Sequence, residues 1–477
     1  MIRETVGKWS GSVRRTNGMN GREIHGKIAM EAIYSAMEDY RIRGECGRMR
    51  KRYAVCGVSN RAIHMFIGPM VKTFSEQAEV VALLDIDPRR FEVCKTNHPE
   101  LQHVKEYAPD QFEQMVEETK PDAVLVASRD DTHVTYVLKA LEHDLDVIVE
   151  KPMATTGADC RRIMDAEAKS KGKVTVTFNY RYAPIHTKIK EMVLEGKVGR
   201  ITSIDLNWYI DTFHGASYFK RWNRKREYSG GLSIHKSSHH FDLVNWWIDQ
   251  LPVEVFAYGA LNYYGPDGEL NPKKEDGRHC GTCDVRQQCA YYTRWNSRSS
   301  GLVVKDDHLG TVRMLNGKPL YSEYRPDACI FDSDINIEDT YVCTVRYDQG
   351  ALLSYSVNFS VPYEGYRLAI NGTKGRIETM EYHMPKRVPF PTPVQTIDYF
   401  PLFGSKETIH VVHREGGHGG GDPILLEDLF LGPDPNRPYE ILSGSKDGAY
   451  SIGTGEAVWR SVKEGRPVTL EEVLTVK

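Results

Sequence analysis

Two residues that can hold or move a proton lie in distinctive short motifs. Lys151 belongs to an EKP triplet that follows an apolar run, and His239 opens an HHFD motif. Histidine is an efficient proton acceptor because its ordinary pKa lies near working pH. A lysine ammonium can donate a hydrogen bond to a developing alkoxide. The pair suits removal of a proton from an alcohol, with His239 as the favoured base and the reverse assignment open.

The segment after the first apolar strand has features of a dinucleotide-binding turn. Residues 57–62 read Gly-Val-Ser-Asn-Arg-Ala and join that strand to a helical stretch. A first glycine permits the tight turn, and the helix start offers N–H groups to a pyrophosphate. The fingerprint is degenerate, since serine and alanine replace its later glycines, and an ordinary strand–helix turn is the alternative. The expected cofactor contacts here are Gly57, Ser59, Asn60 and Arg61.

A carboxylate at the end of the second strand bears on the choice of cofactor. Asp85 can accept hydrogen bonds from ribose hydroxyls and repels a 2′-phosphate, so NAD is expected over NADP. Arg89 and Arg90 argue in the opposite direction, because guanidinium groups bind phosphate. A cap for the following turn is the alternative role for Asp85.

Short buried strands must position these residues. Apolar runs rich in Val, Ile and Leu alternate with helical stretches of 10–15 residues. The runs are 53–58, 80–84, 123–127, 147–149 and 174–178. This alternation is typical of a parallel sheet covered on both faces. We predict a doubly wound α/β domain of the Rossmann type over 51–178.

The pattern changes after residue 179. Strands with period-two alternation dominate, and helices are expected at 233–249 and 457–463. The first of these helices would place His235 and His239 on one face. We predict a second α+β domain over 179–477 with a large, mostly antiparallel open sheet. It would carry a polar insertion at about 264–330, and residues 1–50 form an extension of unknown role.

Several motifs in order then resemble one family. They are the EKP triplet at 150–152, the NYRYAP segment at 179–184, the Gly-Gly-Leu turn at 230–232, the HHFD motif at 239–242, NGTKG at 371–375 and GGHGGGD at 416–422. Over about 51–475 the chain resembles the glucose–fructose oxidoreductase, inositol dehydrogenase and rhizopine catabolism (Gfo/Idh/MocA) family. The resemblance implies NAD(P)-dependent oxidation or reduction of a secondary alcohol in a sugar or polyol. It also implies a homo-dimer or homo-tetramer assembled through the open sheet.

The resemblance also carries residue roles. Lys151 matches the active-site lysine, Glu150 its cofactor-side neighbour and His239 the catalytic histidine, while Asp242 matches a substrate-side or orienting carboxylate. Ser128 and His133, which follow the apolar run 123–127, match cofactor contacts. One departure weakens the expected proton relay: the family usually has an aspartate where this chain has His235.

Other side chains are expected to bind the substrate. Aromatic faces and planar donors suit sugars, and several cluster where the family places substrate residues. Besides Asp242, the candidates are Arg181, Tyr182, Trp222, His235 and Lys236. Each aromatic residue has the alternative of a packing role in the core.

Four cysteines in the insertion have the spacing of a metal site. Cys280, Cys283 and Cys289 follow one another closely, and Cys329 comes 40 residues after the third. Four thiolates would suit a structural zinc ion that holds a polar loop together. Free thiols or a disulfide are the alternatives, and the spacing matches no common iron–sulfur pattern.

Composition excludes several classes of protein. The chain has 477 residues, a net charge of −3 and nine cysteines. It has no strongly basic face or motif for nucleic acid and no apolar run long enough to span a membrane. The sparse, odd number of cysteines fits reduced thiols and a cytoplasmic location. The partner that the family resemblance implies is a small carbohydrate.

Three functions remain open from the sequence. The first is an NAD-dependent dehydrogenase acting on a sugar, glycoside or polyol, with C3 as a candidate carbon. The second is a redox-neutral glycosidase or lyase that passes through a transient ketosugar. That alternative needs a second base, and His235, Lys236 and His240 supply candidates. The third is a non-catalytic NAD sensor, which the degenerate turn at 57–62 would allow.

Overall fold

The computed structural model describes residues 50–293, 314–388, 390–412 and 414–475. Eighteen strands are present in those ranges. They are β1 Lys51–Cys56, β2 Ala78–Leu84, β3 Lys105–Tyr107, β4 Ala123–Val126, β5 Asp146–Val149, β6 Val174–Val176, β7 Ile201–Asp211, β8 Pro252–Ala260, β9 Met314–Leu315, β10 Lys318–Pro319, β11 Thr340–Tyr347, β12 Leu352–Val361, β13 Glu364–Gly372, β14 Gly375–His383, β15 Thr396–Pro401, β16 Glu407–His410, β17 Ser443–Gly444 and β18 Val468–Thr469. The expected extension at 1–50 lies almost wholly outside the described residues.

Thirteen α-helices accompany these strands in the described ranges. They are α1 Gly68–Lys72, α2 Pro88–Asn97, α3 Phe112–Thr119, α4 His133–Glu142, α5 Gly157–Glu167, α6 Pro184–Leu194, α7 Thr212–Phe219, α8 Arg226–Ser229, α9 Leu232–His235, α10 Ser238–Ile248, α11 Gly417–Phe430, α12 Ser445–Glu464 and α13 Leu470–Val473. A π-helical segment, Ala62–Ile67, precedes α1, and the expected helix after the dinucleotide turn is this combined element.

The first sheet confirms the predicted doubly wound domain. Its strand order is β17-β6-β5-β4-β1-β2-β3, and the six strands from β1 to β6 are parallel. β17 comes from far along the chain and pairs antiparallel with β6. The strands that follow β1 in the chain lie on both sides of it, with β2 on one side and β4 on the other. The carboxyl ends of β1 and β4 therefore border the crevice where such sheets bind ligands.

The second sheet has nine strands in the order β16-β15-β14-β13-β7-β12-β11-β8-β18. Neighbours pair antiparallel except for β7 and β12, which are parallel. The expected mostly antiparallel open sheet is therefore confirmed. Its alternating residues bury one face, as the burial pattern of β11 shows.

The helix expected at 233–249 is two helices, and this corrects the expected shared face. α9 ends at His235 and α10 begins at Ser238. The Ser237 hydroxyl donates to the Leu232 carbonyl (3.2 Å) and accepts a hydrogen bond from Tyr355 (2.9 Å). These bonds hold the break, so His235 and His239 contact different neighbours.

The last long helix starts well before the expected segment at 457–463. α12 spans Ser445–Glu464, and its small residues hide the apolar period that marks a helix. At Gly455 a Cβ atom would lie 2.2 Å from the carbonyl oxygen of Ser233. Glycine therefore lets α12 approach α9 closely, and this contact fixes the helix that carries His235.

The insertion is anchored at both ends of the described part. The Cys280 N–H donates to the carbonyl of Asp327 (2.8 Å), and the Cys329 N–H donates to the carbonyl of Arg278 (2.8 Å). The β9–β10 hairpin of this insertion returns to the first domain beside α2. In the described part of the chain, no helix has the length and apolarity required to cross a bilayer.

Candidate active site

The glycine turn packs against the loop that follows β4. Gly57 has φ of +91°, and a Cβ there would lie 2.3 Å from the backbone of Ser128. The next amide, Val58 N–H, donates to Asp85 Oδ2 (2.6 Å). Only glycine accepts both this positive φ and this close approach to Ser128. The turn therefore brings the ends of β1, β2 and β4 together at the crevice.

These residues fit a dinucleotide. The helix after the turn starts at the crevice, where its first N–H groups lack intrahelical acceptors. Beside Asp85, Ile86 is 84% exposed and offers an apolar surface to a base. Ser59 Oγ accepts from the N–H of Ala62 (3.2 Å), so its hydroxyl caps the helix start.

Arg61 ties the turn to the second domain. Its Nε donates to Glu150 (2.8 Å), and a terminal nitrogen lies 3.5 Å from Asp422. Asp422 also accepts from Asn179 (2.6 Å) and bonds to His418 (2.9 Å). These partners lower the pKa of Asp422 to about 2 despite its burial. Glu150 and Arg61 are thus fixed at the boundary between the domains.

The Lys151 turn is held by a histidine. Lys151–Pro152 is a cis peptide bond. His133 Nδ1 lies 2.8 Å from the carbonyl oxygen of Pro152, and its Nε2 lies 3.1 Å from that of Ser128. His133 is buried, so it braces the two loops that carry Ser128 and Lys151 and does not face open cofactor space.

Lys151 reaches across the domain boundary to the short helix that precedes His239. Lys151 Nζ donates to the carbonyl of His235 (3.0 Å), at the end of α9. Burial lowers the pKa of Lys151, and the charges of Asp130 and Glu150 oppose that effect. Burial, followed by the charge of Lys151, holds the pKa of His239 well below its usual value. The His239 ring is therefore neutral at working pH.

The His239 ring is packed among aromatic side chains. It meets Tyr180 edge-on at 4.9 Å between ring centroids and lies 5.7 Å from His418. It is 1% exposed, and its Nδ1 has no hydrogen-bond partner among the described residues. The neutral ring therefore keeps one buried nitrogen whose hydrogen bond is unmade within the described residues.

Asp130 is a site residue that sequence reasoning missed. Its carboxylate bonds to Nδ1 of His235, while Asn223 lies 3.2 Å from Nε2 of the same ring. An amide nitrogen only donates, so Nε2 accepts and Nδ1 carries the proton. Burial raises the pKa of Asp130 to about 7. The position of Asp130 just after β4 is the signal that could have found it, because such sheets place functional groups there.

A cavity of about 880 Å³ opens beside these residues, on the side of the second domain. Its walls include Arg61, Tyr180, Arg221, Lys236 and His418. Lys236 is 4% exposed, and burial lowers the pKa of its ammonium to about 8. The cavity is within the size range of small-molecule sites.

Three expected substrate residues do not reach this cavity. Arg181 and Asp242 form an interior ion pair, with Nε–Oδ2 of 2.8 Å and a second contact of 2.6 Å. Both side chains are at most 3% exposed. Tyr182 is 1% exposed and lies under Arg437. These three side chains pack or pair in the interior, because the fold already uses their polar groups or encloses them, and their expected substrate roles stay predictions.

Two other expected substrate residues lie beside Lys151. Trp222 meets the His235 ring edge-on at 5.8 Å. Both residues are partly exposed. Trp222 and His235 thus stay candidates, together with Lys236 on the cavity wall.

The two arginines that favoured a 2′-phosphate are already occupied. Arg89 donates to the carbonyls of Leu315 (2.9 Å) and Pro319 (2.8 Å) in the β9–β10 hairpin. Arg90 donates to the carbonyl of Val58 (2.9 Å) and to the Asn60 side chain (2.7 Å). Both arginines are at most 9% exposed. Their role is to fasten the hairpin and the turn.

The four insertion cysteines line one small cavity of about 20 Å³ and are free thiols. Among the described residues, no three His, Cys, Asp or Glu side chains are grouped as a metal ion requires. Burial raises the pKa of Cys280, and it raises that of Cys329 to about 12. The described residues therefore do not support the expected zinc site.

The parallel sheet, the glycine turn and the adjoining lysine–histidine crevice together define an NAD-binding oxidoreductase. Family profiles agree with that class. One, described as the NAD-binding Rossmann fold of an oxidoreductase family, matches residues 51–178. The other, its C-terminal alpha/beta domain, matches 190–470. The chain belongs to the Gfo/Idh/MocA family.

Similar proteins include YteT of Bacillus subtilis, which bears the name of an oxidoreductase. It is 63% identical over 428 residues, 90% of this chain and 99% of YteT. An inositol 2-dehydrogenase of Rubrobacter xylanophilus is 29% identical over 189 residues, 38% of this chain and 48% of the relative. A levoglucosan dehydrogenase structure, solved with NADH and levoglucosan, superposes with a TM-score of 0.60 at 14% identity, covering 88% of this chain and 99% of that one.

Proposed function

We propose that the protein oxidises a secondary alcohol of a sugar, glycoside or polyol, with NAD as the hydride acceptor. The observation that carries this is the contact of Lys151 Nζ with the carbonyl of His235 across the domain boundary, together with His239, whose ring packs against Tyr180 on the wall of a large cavity. Asp85 at the end of β2 supports NAD over NADP, because a carboxylate repels a 2′-phosphate. C3 is the candidate carbon for sugar substrates.

In this proposal Lys151 orients the reacting hydroxyl and stabilises its developing negative charge. His239 accepts the proton, since its ring is neutral and its Nδ1 is without a partner among the described residues. NAD, when bound at the crevice, would supply the hydride acceptor. Asp130 fixes the tautomer of His235, with the proton on Nδ1. The lone pair of Nε2 therefore faces Asn223.

The test mixes purified protein with NAD and a panel of sugars and polyols and follows nicotinamide absorbance. Reduction with at least one member supports the proposal. Absence of reduction with every member, in protein shown to bind NAD, contradicts it. Unchanged properties in Lys151→Ala and His239→Ala would favour the NAD-sensor alternative.

A redox-neutral elimination is the second candidate function. Lys236 is buried beside the cavity with a pKa lowered to about 8, which suits a second base. Such a base could remove the acidified proton next to a transient ketone, after which the aglycone leaves. Aglycone release without net reduction of NAD would favour this function, and accumulation of ketosugar with reduced NAD would exclude it.

The proposed assembly is a homo-oligomer joined through the open sheet. Tyr258 and Val342 are opposed across β8 and β11, and they are 70% and 52% exposed. Neighbouring exposed apolar side chains on one face of a sheet are typical of contact surfaces. Light scattering of the purified protein measures the assembly, and Tyr258→Glu with Val342→Glu should dissociate it.

A further inference from the structure

The carboxylates that line the large cavity already have partners. Glu364 receives hydrogen bonds from His214 (3.0 Å) and Arg387 (2.8 Å). Glu381 lies 3.4 Å from Nε2 of His383. The third carboxylate, Asp422, is held by Arg61, Asn179 and His418 as described above. Each carboxylate on the cavity wall therefore has a cationic neighbour within the fold, while Glu381 Oε2 makes no hydrogen bond among the described residues.

Arg221 and Lys236, two cations on the same wall, differ from these carboxylates in their partners. Arg221 donates to the carbonyl oxygen of Ser217 (2.8 Å) and to its hydroxyl (3.0 Å). Lys236 lies over the Tyr180 ring, with Nζ 5.3 Å from the centroid. Within the described ranges neither cation forms an ion pair, and the charge of Glu364 reaches Lys236 only from a longer distance.

A third positive charge adds to these two. Lys151 is close enough for the charge of Arg221 to lower its pKa, and Lys151 in turn lowers the pKa of Lys236. Buried or half-buried cations without a counter-ion are costly. A ligand that brings a negative charge would offset that cost.

We propose that the cavity takes a sugar bearing an anionic group, a carboxylate or a phosphate, with Arg221 and Lys236 as its counter-ions. The planar guanidinium fork of Arg221 suits either anion, and the Lys236 ammonium supplies a point charge. This inference rests on the proposed function for the sugar part of the ligand. The neutral hydroxyls of that ligand would face Lys151 and the histidines.

The test compares matched ligands. Glucose, glucuronate and glucose 6-phosphate form one set, and galactose, galacturonate and galactose 6-phosphate form another. Calorimetry with the NAD-loaded protein gives a Kd for each, and nicotinamide absorbance gives turnover. We expect at least one anionic sugar to bind ~10-fold or more tightly than its neutral counterpart. The preferred anion distinguishes a carboxylate from a phosphate.

Variants show whether the named cations are responsible. Arg221→Gln should weaken binding of the anionic sugar ~10-fold or more and reduce its preference over the neutral sugar. Lys236→Met should act in the same direction. Arg346→Gln is the matched control, since Arg346 is exposed on β11 and pairs with Glu254; the preference should stay unchanged.

Specific outcomes overturn the proposal. It is wrong if no anionic sugar binds more tightly than its neutral partner, or if Arg221→Gln weakens both kinds of sugar equally. Anion-selective binding without reduction of NAD by any sugar would leave the anion site in place and reject the proposed function. Turnover of neutral sugars without anion selectivity would support the proposed function and reject the anion site.

Discussion

Two regions of the second domain each contain a guanidinium group, but only one of these groups is paired with a carboxylate. In the interior, Arg181 faces Asp242 at 2.6 Å, and both side chains are at most 3% exposed. At the cavity, Arg221 is held by Ser217 and has no carboxylate partner within the described residues. The first arginine is used by the fold, whereas the second remains available to a ligand. A charged residue type therefore reveals its role only through its partner.

The largest expected effect comes from breaking the interior pair. Arg181→Met should lower the free energy of unfolding by ~3–5 kcal/mol, because it leaves a buried carboxylate uncompensated. Arg221→Met is the matched variant and should change it by less than about 0.5 kcal/mol. Chemical denaturation measures both. Equal losses would remove the distinction between the two regions, and the double variant Arg181→Met, Asp242→Leu should recover much of the loss.

The next effect concerns the cation that lies at the crevice itself. Lys151→Met should lower kcat/KM by ~10²–10³, since it removes a donor to the developing oxyanion. Affinity for NAD, followed by fluorescence titration, should change much less. Lys171→Met is the control, because that side chain is 89% exposed on the far loop. Full activity of Lys151→Met would show that this cation is structural, like Arg181.

A paired carboxylate of the cavity wall gives a pH-dependent effect. The folded-state pKa of Asp422 is about 2, below its ordinary value. It therefore stabilises the protein above the unfolded-state pKa near 4, and this contribution disappears as pH falls toward 2. Asp422→Asn should flatten that acid limb by about 2 kcal/mol in denaturation curves. Parallel curves for variant and parent would contradict the pairing.

The smallest effect tests whether Arg89 is used by the fold, like Arg181, or is available to the cofactor. Arg89→Gln should lower the free energy of unfolding by about 1 kcal/mol, because it loses bonds to the β9–β10 hairpin. The ratio of NADP to NAD affinity should stay within about twofold. Asp85→Ser is the counterpart and should raise that ratio ~10-fold, since it removes the carboxylate that repels a 2′-phosphate. A marked fall of the ratio in Arg89→Gln would place that guanidinium at the cofactor.

Local signals in the sequence determined much of this protein. Buried runs of Val, Ile and Leu that alternate with helices specify a parallel sheet, because both faces of such a strand must be apolar. Gly57 and Asp85 could be located because the turn and strand end demand those residue types. Lys151 is assigned differently, through the resemblance of the EKP triplet and its companion motifs to a known family. Ser59 and His133, by contrast, cap and brace in this structure rather than face open cofactor space.

The tertiary structure alone decided which polar side chains have partners. Arg181 and Asp242 are 61 residues apart, and His235 and Asp130 are 105 residues apart. No periodicity links such positions, because long-range ion pairs depend on how separate elements pack. The break between α9 and α10 likewise depends on a hydroxyl of β12 and a glycine of α12. Residue types thus fix the chemistry that is available, while packing decides which groups are left free to use it.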